Sequence, residues 1–364
     1  MSASLVGSEM CIRDRNMAAE YFKLKKFSEI GTSPDFPREL DPDRLDEGAK
    51  LIMLDPYGFL FPYGDTSQKP PVYFHHAYIN KIRFNGITEL GDDYLSHQKS
   101  GKHHDEMAQP TTPVTKQYVR FEDTPCGGYV QQTDFPYSEI RYYDDGTLTV
   151  KEADFLDLTF KPFKYANVDY GNMFKGRFQV QQPCMLTGFY ENRPVMGLGS
   201  YDRIYAPSTV VDDVMAGSAY IYVVGHGIRE DGREEAYMIT KGLYDDKSNG
   251  INNGYYWIEG EEPIIVSNAE IEADWVHLPY VDDGTVVYKD AIFHIGPKEI
   301  HFCGKWGTKG FTKEPRIERH GQSQIYGSWY EGKMPYEHKL FFAWGEHTGA
   351  YDHVIKAYGF HVID

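Results

Sequence analysis
The sequence is poor in cysteine and in positive charge, and it lacks any long hydrophobic run. Cys11, Cys126, Cys184 and Cys303 are the only 4 cysteines in 364 residues. They stand far apart with no Cys-x-x-Cys, which excludes a disulfide scaffold and a zinc ribbon. Lysine and arginine total 37 against 54 aspartates and glutamates, for a net charge of −17. That balance argues against nucleic acid or an anionic membrane surface as a partner, since either would need a basic patch. The best apolar stretch, Ala216–Gly225, falls well short of the about 20 residues that cross a bilayer, so no transmembrane segment is expected. There is no Asn-x-Ser/Thr sequon, and charges interrupt any apolar stretch near the start of the chain. A secretory signal is therefore not expected, and free thiols in the cytoplasm are. Phosphate loop, zinc-helix and nucleophile-elbow signatures are also missing, and Gly197-Leu-Gly199 has no third glycine at dinucleotide spacing. The expectation is a protein without metal or cofactor. Nothing in the sequence speaks to oligomeric state.

Aromatic residues are in excess. With 21 Phe, 29 Tyr and 5 Trp they make up 15% of the chain, and 35 Gly and 20 Pro supply turns. Tyrosine and phenylalanine favour strands, so an all-helical protein is excluded. Residues 1–16 contain Ser4-Leu-Val-Gly-Ser-Glu-Met-Cys-Ile-Arg-Asp-Arg15, which resembles a translated sequencing-adapter read from a metagenomic assembly. This tail is expected to be non-native, with translation starting at Met17. A weak helical pattern follows at Met17–Ile30. Prolines then forbid long helices from Gly31 to Pro71, where Tyr57, Phe59, Phe61 and Tyr63 suggest an extended wrap. A strand-like run covers Val72–Phe84, and Gly91–Thr115 is polar and turn-rich.

From Thr147 onward, short alternating runs dominate. Phe178–Tyr190 and Val195–Tyr205 are hinged at Asn192-Arg193-Pro194. Ala219–Arg229 and Glu234–Leu243 flank Asp231-Gly232, a strong hairpin signal. Leu340–Ile363 completes the series. Strands of this length joined by Gly-containing turns read as antiparallel barrels or sandwiches. The chain is expected to form two β-rich domains, 17–206 and 207–364.

Among candidate chemical residues, His103-His104-Asp105-Glu106 has metal-ligand composition but lies in a loop-like setting. His75-His76 reads as packing beside Tyr73 and Tyr78. In Trp344–His353, one continuous strand would place His347, Tyr351 and His353 on a shared face, although Gly349 stands against continuity. The acid pairs Glu234/Glu235 and Glu261/Glu262 fall at hairpin tips and are expected to be solvated. The most informative stretch is Gly188–Pro207. Alternation there puts Ser200, Asp202 and Ile204 on one face of a strand and Tyr201, Arg203 and Tyr205 on the other. A carboxyl desolvated among apolar and aromatic groups is suited to general acid work. The competing reading of Asp202 is a structural network with Arg203 or a turn at a strand end.

This stretch resembles the hydroxyneurosporene synthase (carotenoid 1,2-hydratase) and AttH-like group, whose pattern is Gly-x-Gly-Tyr-Arg-Asp-His-x-Trp-Gly. The matching run is Gly197-Leu-Gly199-Ser200-Tyr201-Asp202-Arg203-Ile204-Tyr205-Ala206. Both glycines and the aspartate agree, while Arg203 replaces His, Tyr205 replaces Trp and Ala206 replaces Gly. The downstream order, with Gly254-Tyr-Tyr-Trp-Ile-Glu-Gly260 ahead of an acidic turn, is also similar. The resemblance implies a mainly β protein of two lipocalin-like antiparallel barrel halves with few short helices. It further implies an aromatic-lined pocket for an apolar, isoprenoid or polyketide-like molecule, and a possible hydratase/lyase or isomerase. In that reading Asp202 is the catalytic acid. Tyr201, Arg203, Tyr205, His226, Trp257, His347, Tyr351 and His353 are the ligand-binding candidates. Arg203 in contact with Asp202 would hold the carboxylate ionised and spoil it as an acid. The alternatives are a non-catalytic carrier of the same architecture and a carbohydrate-active β-sandwich, which needs two carboxyls facing one groove.

Overall fold
The computed structural model describes residues 22–26, 50–65, 72–79, 82–89, 103, 106–108, 111–169, 178–206, 219–243, 252–267, 269–278, 284–309, 322–331, 334–335, 338–348 and 351–363. The adapter-like residues 1–16 lie outside these. The fold is mainly β, built on two large sheets that are antiparallel except for the parallel pairing of the last strand, and the chain divides into two compact units.

The first sheet takes β1 (Phe22–Lys26), β2 (Lys50–Pro62), β3 (Val72–Ile79), β4 (Ile82–Glu89), β5 (Lys116–Phe121), β6 (Gly128–Asp134), β7 (Tyr137–Tyr143), β8 (Leu148–Glu152), β9 (Leu156–Pro162), β10 (Tyr165–Asp169), β11 (Phe178–Tyr190) and β12 (Arg193–Ala206). Its order is β4-β3-β2-β12-β11-β9-β8-β7-β6-β5, with β10 pairing β11 and β1 pairing β10. Among the described strands no ladder joins β4 to β5. Two sequence expectations change here. The helical pattern at Met17–Ile30 yields to strand β1, because pairing with β10 offers its backbone a ladder that outweighs weak propensity. The single run Val72–Phe84 is a hairpin, β3 with β4.

The sheet curls round on itself. β3 and β9 are four strand places apart, roughly 19 Å if the sheet were flat. Yet Phe74 on β3 and Phe160 on β9 meet edge to face with ring centroids 5.6 Å apart. Between β3 and β8, five places apart, His76 Nδ1 lies 2.7 Å from Glu152 Oε1. The enclosed face carries Leu54, Leu60, Phe74, Ile140, Leu148, Leu158, Phe160 and Leu186 in one core.

The second sheet takes β13 (Ala219–Arg229), β14 (Glu234–Leu243), β15 (Asn252–Ile258), β16 (Ile264–Val266), β17 (Glu270–His277), β18 (Val286–Ile295), β19 (Lys298–Lys309), β20 (Gln322–Glu331), β21 (Met334–Pro335) and β22 (His338–Thr348). One short helix, α1 (Asp352–Ala357), and a last strand, β23 (His361–Ile363), follow. Tyr237 on β14 lies 6.1 Å from Phe293 on β18, although five strand places separate them, so this sheet is curled as well. Its core includes Ile221, Val223, Ile239, Tyr256, Trp275, Phe293 and Phe302. No helix among the described residues is long and apolar enough to cross a membrane.

Candidate active site
β11 and β12 form one long hairpin, turned by Glu191 and Asn192 at φ 49° and 62°. Two consecutive left-handed residues match the right-handed twist of the flanking strands. β12 pairs with β11 on one side and β2 on the other, so its residues are flanked in register by both. The alternation read from sequence holds. Tyr201 belongs to the enclosed core and Tyr205 packs with Val180 and Leu51 on the same side. Ser200, Asp202 and Ile204 point to the opposite face.

Asp202 is buried on that opposite face, at 5% exposure. Gln179 donates its amide N–H to Asp202 Oδ2 at 2.9 Å, and the neighbouring Gln181 donates to Ser200 Oγ at 2.6 Å. Directly across the β2 ladder from Asp202 stands Asp55, also buried. Facing positions hold Cβ atoms roughly 4.5–5.5 Å apart, so the two carboxyls are close neighbours. Asp55 Oδ1 pairs with His75 Nε2 at 2.5 Å. The His75 ring stacks on Tyr73 at 6.5 Å and meets the edge of Tyr57 at 6.3 Å. A carboxyl that can give a proton, a carboxylate–imidazole pair that can take one, and aromatic rings beside them thus share one face of three adjacent strands.

Asp55, His75, Gln179 and Tyr57 were not singled out from sequence for this role. The odd-numbered spacing of Tyr57, Phe59 and Phe61 was the available signal, but no local pattern reports that β2 lies beside β12.

The remaining candidates fall in several places. Arg203 does not share a face with Asp202. It is fully buried inside the curled sheet, its guanidinium 5.2 Å from the centroid of the Tyr142 ring and donating to Tyr205 Oη at 3.3 Å. Burial opposes its charge, and the surrounding phenols of Tyr142, Tyr205 and Tyr201 more than offset this, so its pKa is raised. Tyr201 donates to the carbonyl of Gly146 at 3.0 Å and meets Tyr142 edge to face at 5.5 Å. Burial keeps the phenols of Tyr142 and Tyr201 protonated.

His226 and Trp257 stand two strands apart, on either side of Ala236. Both stand opposite Ala236 in the β13–β14–β15 ladders, both are buried, and both lie on the face of the second sheet away from its core. His347 stands opposite Ile221 in β22, with its side chain outside the described residues. The continuous strand considered for His347, Tyr351 and His353 does not form. β22 ends at Thr348, and Tyr351 caps helix α1. Tyr351 and His353 stack at 5.9 Å, and the His353 side chain is 77% exposed.

In the His103 loop, His104 and Asp105 lie outside the described residues. His103 stacks on Phe155 at 4.1 Å and bridges Glu106 and Glu191 at 3.2 and 3.0 Å. Among the described residues no group of three or more His, Cys, Asp or Glu is placed to hold a metal ion.

No family model and no curated protein matches the chain. Solved structures do. A Nitrosomonas europaea protein assigned as AttH superposes over 88% of this chain and 98% of its own, at 11% identity and a TM-score of 0.54. CghA in complex with Sch210972 aligns over 91% of this chain and 99% of its own, at 13% identity and a TM-score of 0.48. Kievitone hydratase from Nectria haematococca aligns over 83% and 89%, at 9% identity and a TM-score of 0.42. At 11% identity, the likeness to the first of these is one of fold.

Proposed function
With an AttH-like fold as the frame, we propose that the protein binds an apolar, isoprenoid or polyketide-like molecule and hydrates or isomerises an alkene in it by proton transfer at Asp202. The observation that carries this reading is the buried Asp202 carboxyl facing Asp55, itself paired with His75. In hydration, the Asp202 O–H proton moves to one alkene carbon and the π pair forms the new C–H bond. The cation left on the other carbon is stabilised by the faces of nearby aromatic rings, for which Tyr57 and Tyr73 are placed. Water then adds, and its surplus proton passes to the Asp202 carboxylate or to the Asp55–His75 pair. In isomerisation, a neighbouring carbon returns a proton to the same carboxylate in place of water addition. His226 and Trp257 are proposed as ligand contacts on their own sheet.

The test is incubation with unsaturated isoprenoids in deuterated water, read by mass spectrometry. The wild type is expected to add water or exchange deuterium into the alkene. Asp202→Asn retains an oxygen to accept from Gln179. It should keep the fold and ligand binding, but lose turnover by about a hundredfold or more. A ligand bound and released unchanged by wild type and variant alike would overturn catalysis in favour of a carrier.

A further inference from the structure
We propose that Asp202 and Asp55 hold one proton between them, and that Gln179 is the positioning residue that fixes it on the Asp202 oxygen turned toward Asp55. This deepens the reading of Asp202 as an acid, and rests on that reading for its catalytic meaning. Register brings the pair together. Asp202 on β12 and Asp55 on β2 are directly paired, so both side chains rise from one face with Cβ atoms roughly 4.5–5.5 Å apart. They are 5% and 8% exposed. Two carboxylates this close and this buried repel each other with little water to screen them, so the second ionisation is strongly opposed.

Each carboxyl is also held from its outer side. His75 Nε2, on β3, lies 2.5 Å from Asp55 Oδ1. Gln179, on β11, donates to Asp202 Oδ2 at 2.9 Å. The strand order is β3-β2-β12-β11, so the two partners stand on opposite flanks of the pair. One oxygen of each carboxyl is drawn outward, which turns Asp55 Oδ2 and Asp202 Oδ1 toward the space between them.

The two flanks differ in kind, and that decides where the proton rests. An imidazole that can itself become charged favours the ionised form of Asp55. The outer partner of Asp202 is a neutral amide, which stabilises charge less. The proton therefore stays on Asp202, and on Oδ1, because Oδ2 acts as the carbonyl oxygen that accepts from Gln179. The other neighbours on this face leave that bias intact. Gln181, opposite Asp202, is turned to Ser200 Oγ at 2.6 Å. Tyr57 and Tyr73 lie beside His75, on the Asp55 side. Asp169 on β10 stands opposite Gln179, with its side chain outside the described residues. Arg203 projects from the other face of β12.

The experiment is carbon-13 NMR of the ligand-free full chain, labelled at the aspartate carboxyl carbon and titrated from about pH 4 to about pH 9. The wild type is expected to keep one aspartate carboxyl protonated at about pH 7, and Asp202→Asn should remove that titration. Asp55→Asn takes away the repelling charge, so the same midpoint should fall by about two pH units. Gln179→Leu removes a donor that favours the carboxylate, so the midpoint should rise by about half a pH unit or more. A wild type with no carboxyl protonated at about pH 7 overturns the proposal. So does a midpoint that stays in place in Asp55→Asn, since burial of Asp202 alone then holds the proton. Should Asp55→Asn fail to fold by near-ultraviolet circular dichroism, Gln179→Leu decides, and an unmoved midpoint overturns the proposal. The spectra need no substrate, so the two readings fail separately. A shared proton without turnover leaves this pair standing and overturns the proposed hydration or isomerisation.

Discussion

Glu235 is fully enclosed, although its place beside a hairpin tip suggests a solvated acid. Strand alternation explains the correction. Glu234 is half-buried, whereas Glu235 turns to the core side of β14, where Tyr256 donates its phenol to Oε1 and Arg229 Nη1 lies 3.0 Å from Oε2. Glu261 and Glu262, in contrast, are exposed as expected. Removing one member of a buried pair strands the other, so Glu235→Leu should cost about 3 kcal/mol in urea unfolding. Glu235→Gln keeps an acceptor for one of the two donors and the side-chain shape, and should cost less than Glu235→Leu. Asp202 makes the same point about single positions. Its burial was legible in the alternation around Tyr201 and Tyr205, but its neighbours Asp55 and His75 were not. The feared contact with Arg203 was settled by period-2 geometry, which sends consecutive side chains to opposite faces.

At the scale of elements, the hairpins were the most legible features, because Gly and Asp at turns advertise them. Asp231-Gly232 joins β13 to β14 with Gly232 at φ 88°. The β11–β12 turn was placed at Asn192-Arg193-Pro194 and falls at Glu191-Asn192, because strand β12 begins at Arg193. Ala153 turns β8 into β9 at φ 43°, a conformation that costs an L-residue roughly 1–2 kcal/mol. Ala153→Gly is therefore expected to stabilise by about 0.5–1 kcal/mol after the entropic penalty of glycine. Calorimetry should show a higher melting temperature.

Gly225 is a glycine of another kind. It sits directly opposite Tyr237, and a Cβ added there would lie 2.0 Å from Tyr237 Cε1. The glycine lets the tyrosine ring lie across the strand. Gly225→Ala should cost about 1–3 kcal/mol through overpacking. In a Tyr237→Ala background that cost should largely vanish, a coupling a double-mutant cycle measures directly. Helix α1 and strand β1 were misread, since each is too short for periodicity to outweigh its tertiary setting.

At the scale of the molecule, each sheet curls until strands four or five places apart meet across a core of its own. The contact between Phe74 and Phe160 and the contact between Tyr237 and Phe293 are the evidence in each unit. Leu158→Ala in the first core should cost about 2–5 kcal/mol and lower amide exchange protection in β7, β8 and β9. Phe293→Ala in the second should cost about 3–5 kcal/mol and lower protection in β17, β18 and β19. Hydrogen exchange read strand by strand checks both. Loss of protection spread evenly over one sheet would instead mark that sheet as a single cooperative block.

The sequence by itself determined the β class, the positions of most hairpins, and which residues of β12 share a face. These properties depend on local sterics, on turn chemistry and on a side-chain period of two. It also carried the AttH-like motif at Gly197–Ala206, and the fold agrees with it. Only the tertiary structure decided that β2 lies against β12, which sets Asp55 and His75 beside Asp202. Only the closing curl decided that Arg203 is buried over the ring of Tyr142. Strand pairings between distant segments are fixed by the burial of whole faces at once, and no short window of sequence contains that information.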